Sequence, residues 1–209
     1  MEKDKSDKKD HILDVAEKVF SDLGYDAAST RTISGEAGVN MAMLNYYFGS
    51  KEGLFLAVFE RKIEMFRSML QNLGNDASMN AWDKLDAFIE AFINKVVVNS
   101  CFAKLINREM SLNRRDGLMD KIGDILLTNV LEVKKIIDDG KASGQFRQEA
   151  DTEMAVATIF GTKNYITNTS LVASKMLGND VNDAAYMENE LKPRIKKYLK
   201  ELLKAYLLK

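Results

Sequence analysis

Residues Ser29 to Lys51 read STRTISGEAGVNMAMLNYYFGSK, and few folds accommodate that spacing of caps, apolar positions and glycine. Ser29 is suited to capping a helix, because its hydroxyl accepts from one of the unpaired N–H groups that open one. Ile33 and Ala37 then fall one turn apart on a single face. Gly38 tolerates the left-handed conformation in which helices often stop, and Val39 can pack back under the turn. Asn40 recaps the chain at once, so a second helix, Met41 to about Phe48, starts after a turn that permits only a sharp change of direction. The pattern is that of a helix-turn-helix, with Leu44 and Phe48 continuing the inward face of Ile33 and Ala37.

Two short helices bury too little apolar area to be stable alone. The preceding segment supplies a third: Ile12, Val15, Ala16, Val19, Phe20 and Leu23 follow the amphipathic helix template, closed by Gly24. Downstream, Ser50 caps a helix that carries Leu54, Phe55, Val58, Phe59, Met65, Phe66 and Met69 to about Leu73. At 1.5 Å per residue it is roughly 35 Å long, enough to leave a small domain and enter another.

Ile12 to Phe59 resembles the N-terminal domain of the tetracycline-repressor (TetR) family. The resemblance rests on Gly24-Tyr25, Ile33, Ala37-Gly38-Val39, Leu44, Tyr47-Phe48, Ser50-Lys51 and Leu54-Phe55 at the family's spacing. It implies an all-α chain with an N-terminal three-helix helix-turn-helix DNA-binding domain, here 1–52, and a C-terminal helical ligand-binding and dimerisation domain, 53–209. It also implies a homodimeric transcriptional regulator, usually a repressor, acting on two-fold symmetric double-stranded DNA and released by a small-molecule effector.

The chemistry of a DNA face can be argued from the residues themselves. A helix in the major groove offers its first turns to base edges while its ends and neighbours hold phosphates. Ala42 permits close approach, Met43 can lie on a thymine methyl, and Asn45 carries the paired donor and acceptor that match adenine. Asn45 departs from the family, where an aromatic is common, and Met41 stands where a lysine or arginine is usual. Tyr47 and Lys51 match the family's backbone contacts, at a helix N-terminus that itself favours anions. Thr30, Arg31 and Tyr46 complete the candidate set. Tyr47 could instead pack its ring on the first helix, and Arg31 could pair with Asp26. Against a basic footprint, residues 1–60 hold seven Lys or Arg and eleven Asp or Glu.

The rest reads as helices: Ala81 to Val98, Phe102 to Leu112, Gly117 to about Asp139 with Gly140 marking its end, and Asp151 toward Leu177. In the last segment Leu191, Ile195, Tyr198, Leu202 and Ala205 make a heptad-like seam. Pro193 either opens this helix or kinks a longer one starting near Asp183. With Ile159 and Ile166 of the preceding helix, Leu191, Ile195, Tyr198 and Leu202 are the expected dimer interface, where the resemblance places it. Met65, Met69, Phe88, Phe92, Phe102, Met110, Phe160 and Tyr165 could line an apolar effector pocket or fill a core, with Asn164 or Lys163 as an orienting group.

Other classes find little support. The one histidine, His11, leaves no His-based triad or Glu-x-x-His pair, and the one cysteine, Cys101, has no thiol partner. No phosphate-binding glycine loop occurs. The expectation is a non-enzyme with no cofactor or metal. One cysteine and no apolar run of about 18 residues fit a soluble, cytoplasmic protein with no membrane partner. A helical protein-interaction module that has lost DNA binding is the alternative left open by the acidic balance and Met41.

Overall fold

The computed structural model describes residues 2–95, 102, 105–106, 108–109 and 117–209, with side chains from 7 onward except at 65. The expected helix 102–112 is therefore described only at Phe102, Leu105, Ile106, Arg108 and Glu109, which are helical. Cys101, Met110 and the Met65 side chain lie outside the described residues. Among the described residues there is no strand, only an isolated antiparallel bridge between Phe146 and Leu208. The chain divides into two compact units, one of residues 1–65 and 100–126, the other of 66–99 and 127–209.

The first unit is built on helices α1 (Glu2–Ala27), α2 (Thr30–Glu36), α3 (Met41–Phe48) and the start of α4 (Lys51–Asn75). Its caps form as the residue types require. Ser29 Oγ accepts from Thr32 N at 3.0 Å, Asn40 Oδ1 from Met43 N at 2.7 Å, and Ser50 Oγ from Gly53 N at 2.9 Å. Ile12, Leu13, Ala16, Val19 and Phe20 of α1 share one core with Ile33, Ala37, Leu44, Leu54, Phe55, Val58 and Phe59. Leu23, expected on the same face, is exposed instead. Gly24 follows it with φ 79 and ψ 168, a backbone region essentially restricted to glycine, and the helical path breaks there. The break leaves Tyr25 N to donate to the buried Glu109 Oε1 at 3.2 Å.

The second unit holds α5 (Ala81–Asn94), most of α6 (Leu118–Ala142), α7 (Thr152–Asn168), α8 (Ser170–Leu177), α9 (Ala184–Tyr186), a π-helical turn (Met187–Leu191) and α10 (Lys192–Leu207). Two boundaries differ from the sequence expectation, and at a third place the structure falls within the alternatives that the sequence leaves open. Helix α6 runs through Gly140 and ends at Ala142, with Gly144 rather than Gly140 in the left-handed region at φ 75. The helix opened by Asp151, whose side chain accepts from Met154 N, stops at Asn168 and resumes at Ser170. There Thr167 and Thr169 hydroxyls donate to the carbonyls of Lys163 and Tyr165, which weakens continuous helix. Pro193 lies within the first turn of α10, in a longer helical run that Asp183 caps; because proline has no N–H to give, the preceding turn widens and Lys192 N bonds Met187 O.

Helices α5 and α10 are joined by charge as well as packing. Lys196 Nζ lies 2.8 Å from Glu90 Oε2, and Lys200 Nζ lies 2.7 Å from Glu90 Oε1 and 3.0 Å from Asp86 Oδ2. Hydrogen bonds from Lys196, then Lys200, hold the Glu90 carboxyl below its ordinary range. A folded-state value depressed in this way stabilises the fold above the unfolded glutamate value, and the gain is lost as pH falls through the folded one. The Glu90 side chain is 40% exposed, so solvent screens the pair. Replacing Glu90 by Gln is expected to lower Tm at neutral pH by about 1–3 °C. Thermal melts should show that difference shrinking in acid, and a gap constant with pH would contradict the assignment.

Candidate nucleic-acid interface

Helix α3 is oriented by the one side chain it buries fully. Leu44 is 0% exposed, and at about 100° per residue Ala42 and Tyr46 fall on the opposite side. Tyr46 is 73% exposed, and Ala42 and Asn45 are exposed beside it. These three form an outward strip one side chain wide, the form a groove-reading helix needs. Arg31 is also exposed, while Thr30, Met43 and Tyr47 are half-buried. The Tyr47 ring packs edge-on to Tyr46, with centroids 5.3 Å apart. Met41 is turned back over α2, where Ser34 Oγ lies 3.3 Å from its sulfur and donates to Arg31 O at 3.0 Å. Ser34 is buried, and no helical period marks it as the residue that positions Met41.

Lys51 opens α4 with its ammonium anchored. Nζ donates to Asp26 O at 3.1 Å and lies 4.6 Å from the centre of the Tyr25 ring, so it sits where α1 ends and α4 begins. The acidic excess of residues 1–60 is also explained. Arg61 lies 2.7 Å from Asp14, 3.7 Å from Glu17 and 3.8 Å from Asp10, and Lys62 lies 2.9 Å from Glu17. Glu52 pairs with Lys121 at 2.7 Å. The neutralising cations come from residues beyond 60. Counted over the whole compact unit, 14 Lys or Arg face 16 Asp or Glu, close to balance. None of the paired carboxylates is on α3.

In the second unit the aromatic residues expected around an effector separate into groups. Phe88, Phe92 and Phe160 assemble with Phe66 at centroid distances of 4.9 to 6.2 Å, with Met69 packed on the same core. Phe102 is not among them; it packs on Phe59 at 5.2 Å in the first unit. Asn164 and Tyr165 are exposed. Lys163 instead lies toward the rings, with Nζ 5.9 Å from the centre of Phe92.

The expected dimer residues divide as well. Ile159, Ile166, Leu191 and Ile195 are buried in this unit's own core. Along α10 the buried stripe is Ile195, Leu199, Leu203 and Leu207, which turns Tyr198 (55%) and Leu202 (39%) outward. Tyr165, Leu171, Val172 and Met176 are exposed too. Tyr165, Met176, Tyr198 and Arg194 line an open groove of 490 Å³ floored by Ile166, Leu191 and Ile195. Among the described residues no group of His, Cys, Asp or Glu has the arrangement of a metal site, and no helix is long and apolar enough to cross a membrane.

Residues 12–58 match the family model described as "Bacterial regulatory proteins, tetR family", and residues 82–192 match "Tetracyclin repressor-like, C-terminal domain". The chain belongs to the TetR family. It is thus a TetR-family transcriptional regulator, with the helix-turn-helix α2–α3 in the segment the first model covers. It is 27% identical over 161 residues to the fatty acid metabolism regulator protein of Bacillus subtilis (strain 168), spanning 77% of this chain and 81% of that one. It is 28% identical over 179 residues to the transcriptional repressor NicS of Pseudomonas putida, spanning 84% of this chain and 82% of that one. Among solved structures, the fatty acid degradation regulator FadR of Bacillus halodurans superposes with a TM-score of 0.72 at 24% identity, over 91% of this chain and 97% of that one. FadR of Bacillus subtilis, solved in complex with stearoyl-CoA, gives 0.69 at 22% identity over 90% and 96%. The TetR fold accounts for the long α4, whose Leu54 to Phe59 serve the first core and whose Phe66 and Leu70 serve the second.

Proposed function

We propose that the protein is a homodimeric, sequence-specific DNA-binding repressor of the cytoplasm, not an enzyme, released from a two-fold symmetric operator by a small-molecule effector. The observation that carries the DNA reading is the outward strip Ala42, Asn45 and Tyr46 opposite the buried Leu44. Asn45 and Tyr46 read base edges, Ala42 permits the approach, and Met43 contacts at the edge of the strip. Thr30, Arg31, Tyr47 and Lys51 hold phosphates, with Met41 shaping the turn from behind. Reading is assigned to 1–52, and effector binding and dimerisation to 53–209.

Dimerisation uses the exposed apolar face of Tyr165, Leu171, Val172, Met176, Tyr198 and Leu202, with the buried Ile159, Ile166, Leu191 and Ile195 supporting it from beneath. Because a half-site contributes little by itself, two in register supply the affinity. The effector acts through Met69, Phe88, Phe92 and Phe160. Moving Phe66 or Leu70 shifts α4, and α4 begins at Lys51, so the spacing of the reading helices in the dimer changes. Relatives named for fatty acid metabolism support an acyl-type effector.

Selection from a random duplex pool with the purified protein tests this reading. Enrichment of a two-fold symmetric site is the expected outcome, and no enrichment would favour a helical interaction module. Lys51→Ala should weaken binding to every sequence and lower the slope of log K against log salt by about one. Unchanged affinity and slope would remove Lys51 from the phosphate contacts.

A further inference from the structure

Helix α7 places a cation on a stripe that is otherwise apolar. Val156, Phe160 and Lys163 recur at i, i+4 and i+7; Val156 is buried, and Phe160 lies 4.9 Å from Phe92 and 6.2 Å from Phe88. Lys163 Nζ approaches the Phe92 face, and Lys95 Nζ stands 4.8 Å from the centre of Phe66 in the same four-ring cluster. The two lysines differ in setting. Lys95 is exposed at the end of α5, where water solvates it and the helix C-terminus favours positive charge. Lys163 is half-buried, and burial pushes its pKa below the ordinary lysine range. Among the described residues no carboxylate or hydrogen-bond acceptor meets its ammonium.

A ring face near the limit of cation–π range compensates only a small part of what an ammonium loses on leaving water. An anion beside Lys163 would supply the missing compensation, and the adjacent rings would shelter whatever apolar body carried it. Asn164 and Tyr165, one and two residues on, are exposed, so Lys163 is the polar group of this stretch that meets the rings.

We propose that this unit recognises an amphipathic anion, with its hydrocarbon on the partly exposed Phe92 and Phe160, which the buried Phe88 backs, and its charged group on Lys163. This rests on the effector role assigned above and adds the charge of the effector and the residue that reads it. Isothermal titration of the full chain with decanoate, decanoyl-CoA and 1-decanol tests it, since the three share a chain length and differ in the head group. At least one of the two anions should bind about tenfold or more tightly than the alcohol. Decanoate binding identifies a free carboxylate, and binding of decanoyl-CoA alone identifies the phosphates of a thioester. Lys163→Met should abolish the preference by weakening the anion and leaving decanol unchanged, while Lys163→Arg should retain it; thermal melts of both variants establish that they fold. Equal binding of alcohol and anions, no measurable anion binding, or a preference that survives Lys163→Met would overturn the inference. A symmetric operator without anion preference would defeat this inference alone. Lys163-dependent anion binding without operator enrichment would defeat the regulator reading alone.

Discussion

Replacing Ala42 by Glu is expected to reduce affinity for duplex DNA by at least about a hundredfold while leaving Tm within about 1 °C, because like charges brought together cost several kcal/mol and surface changes cost little stability. Ala42 is exposed on the side of α3 opposite Leu44, so the new carboxylate has room in the free protein. In the proposed complex base edges and flanking phosphates would take the same room. Tyr46 and Asn45 stand beside it and could not approach the groove without carrying the new charge in. Fluorescence anisotropy on the selected operator, paired with a melt, separates the two quantities. Retained affinity would show that α3 does not enter the groove by this strip. A large loss of Tm would mean that Ala42 serves packing and not DNA.

The first unit was legible in the sequence because its signals are local. Ser29, Asn40 and Ser50 each bond a backbone N–H three residues on, so residue type and spacing sufficed to place three helix starts. The same periodicity marks Leu44 and Ile33 as inward, and both are fully buried. What escaped is non-local. The contact of Glu109 with Tyr25 N spans 84 positions, and Arg61 meets Asp14 across 47. Neither leaves a trace in any window of the chain, and the second is why an acidic count over 1–60 misjudged the charge of the unit.

Helix α10 shows the limit differently. Its apolar residues fit two stripes that share Leu191 and Ile195, one continuing through Tyr198 and Leu202, the other through Leu199 and Leu203. Period alone does not choose between them. The choice is made by the core, which takes in Leu199, Leu203 and Leu207 from positions far apart in sequence, while Asp86 and Glu90 of α5 meet Lys196 and Lys200 on the flank. The effector residues divide for a similar reason. Phe92 and Phe160 meet because two helices bring them together, whereas Phe102, equally apolar, belongs to the other core.

The largest loss of stability is expected at Phe146, where the second unit closes on itself. Phe146 is fully buried, its N–H donates to Gly140 O at 2.9 Å, and it pairs with Leu208 just after α10 while Arg147 N reaches Leu207 O. Truncation to Ala should cost about 3–5 kcal/mol, a fall in Tm on the order of 10 °C. The ring is also why Gly140 is a glycine inside a helix. A Cβ there would lie 2.4 and 2.6 Å from Phe146 Cδ2 and Cε2 and 2.9 Å from Ala81 Cβ, and a core ring has nowhere to retreat. Gly140→Ala is therefore expected to destabilise by about 1–3 kcal/mol, against the gain that alanine normally brings within a helix. Denaturant titrations followed through Trp82, which packs on this core, report both changes. The double variant decides the cause: with the ring gone, most of the Gly140→Ala penalty should vanish, giving a coupling of about 1–2 kcal/mol. Strict additivity would mean that the penalty arises at Ala81 or in the backbone and not at the Phe146 ring.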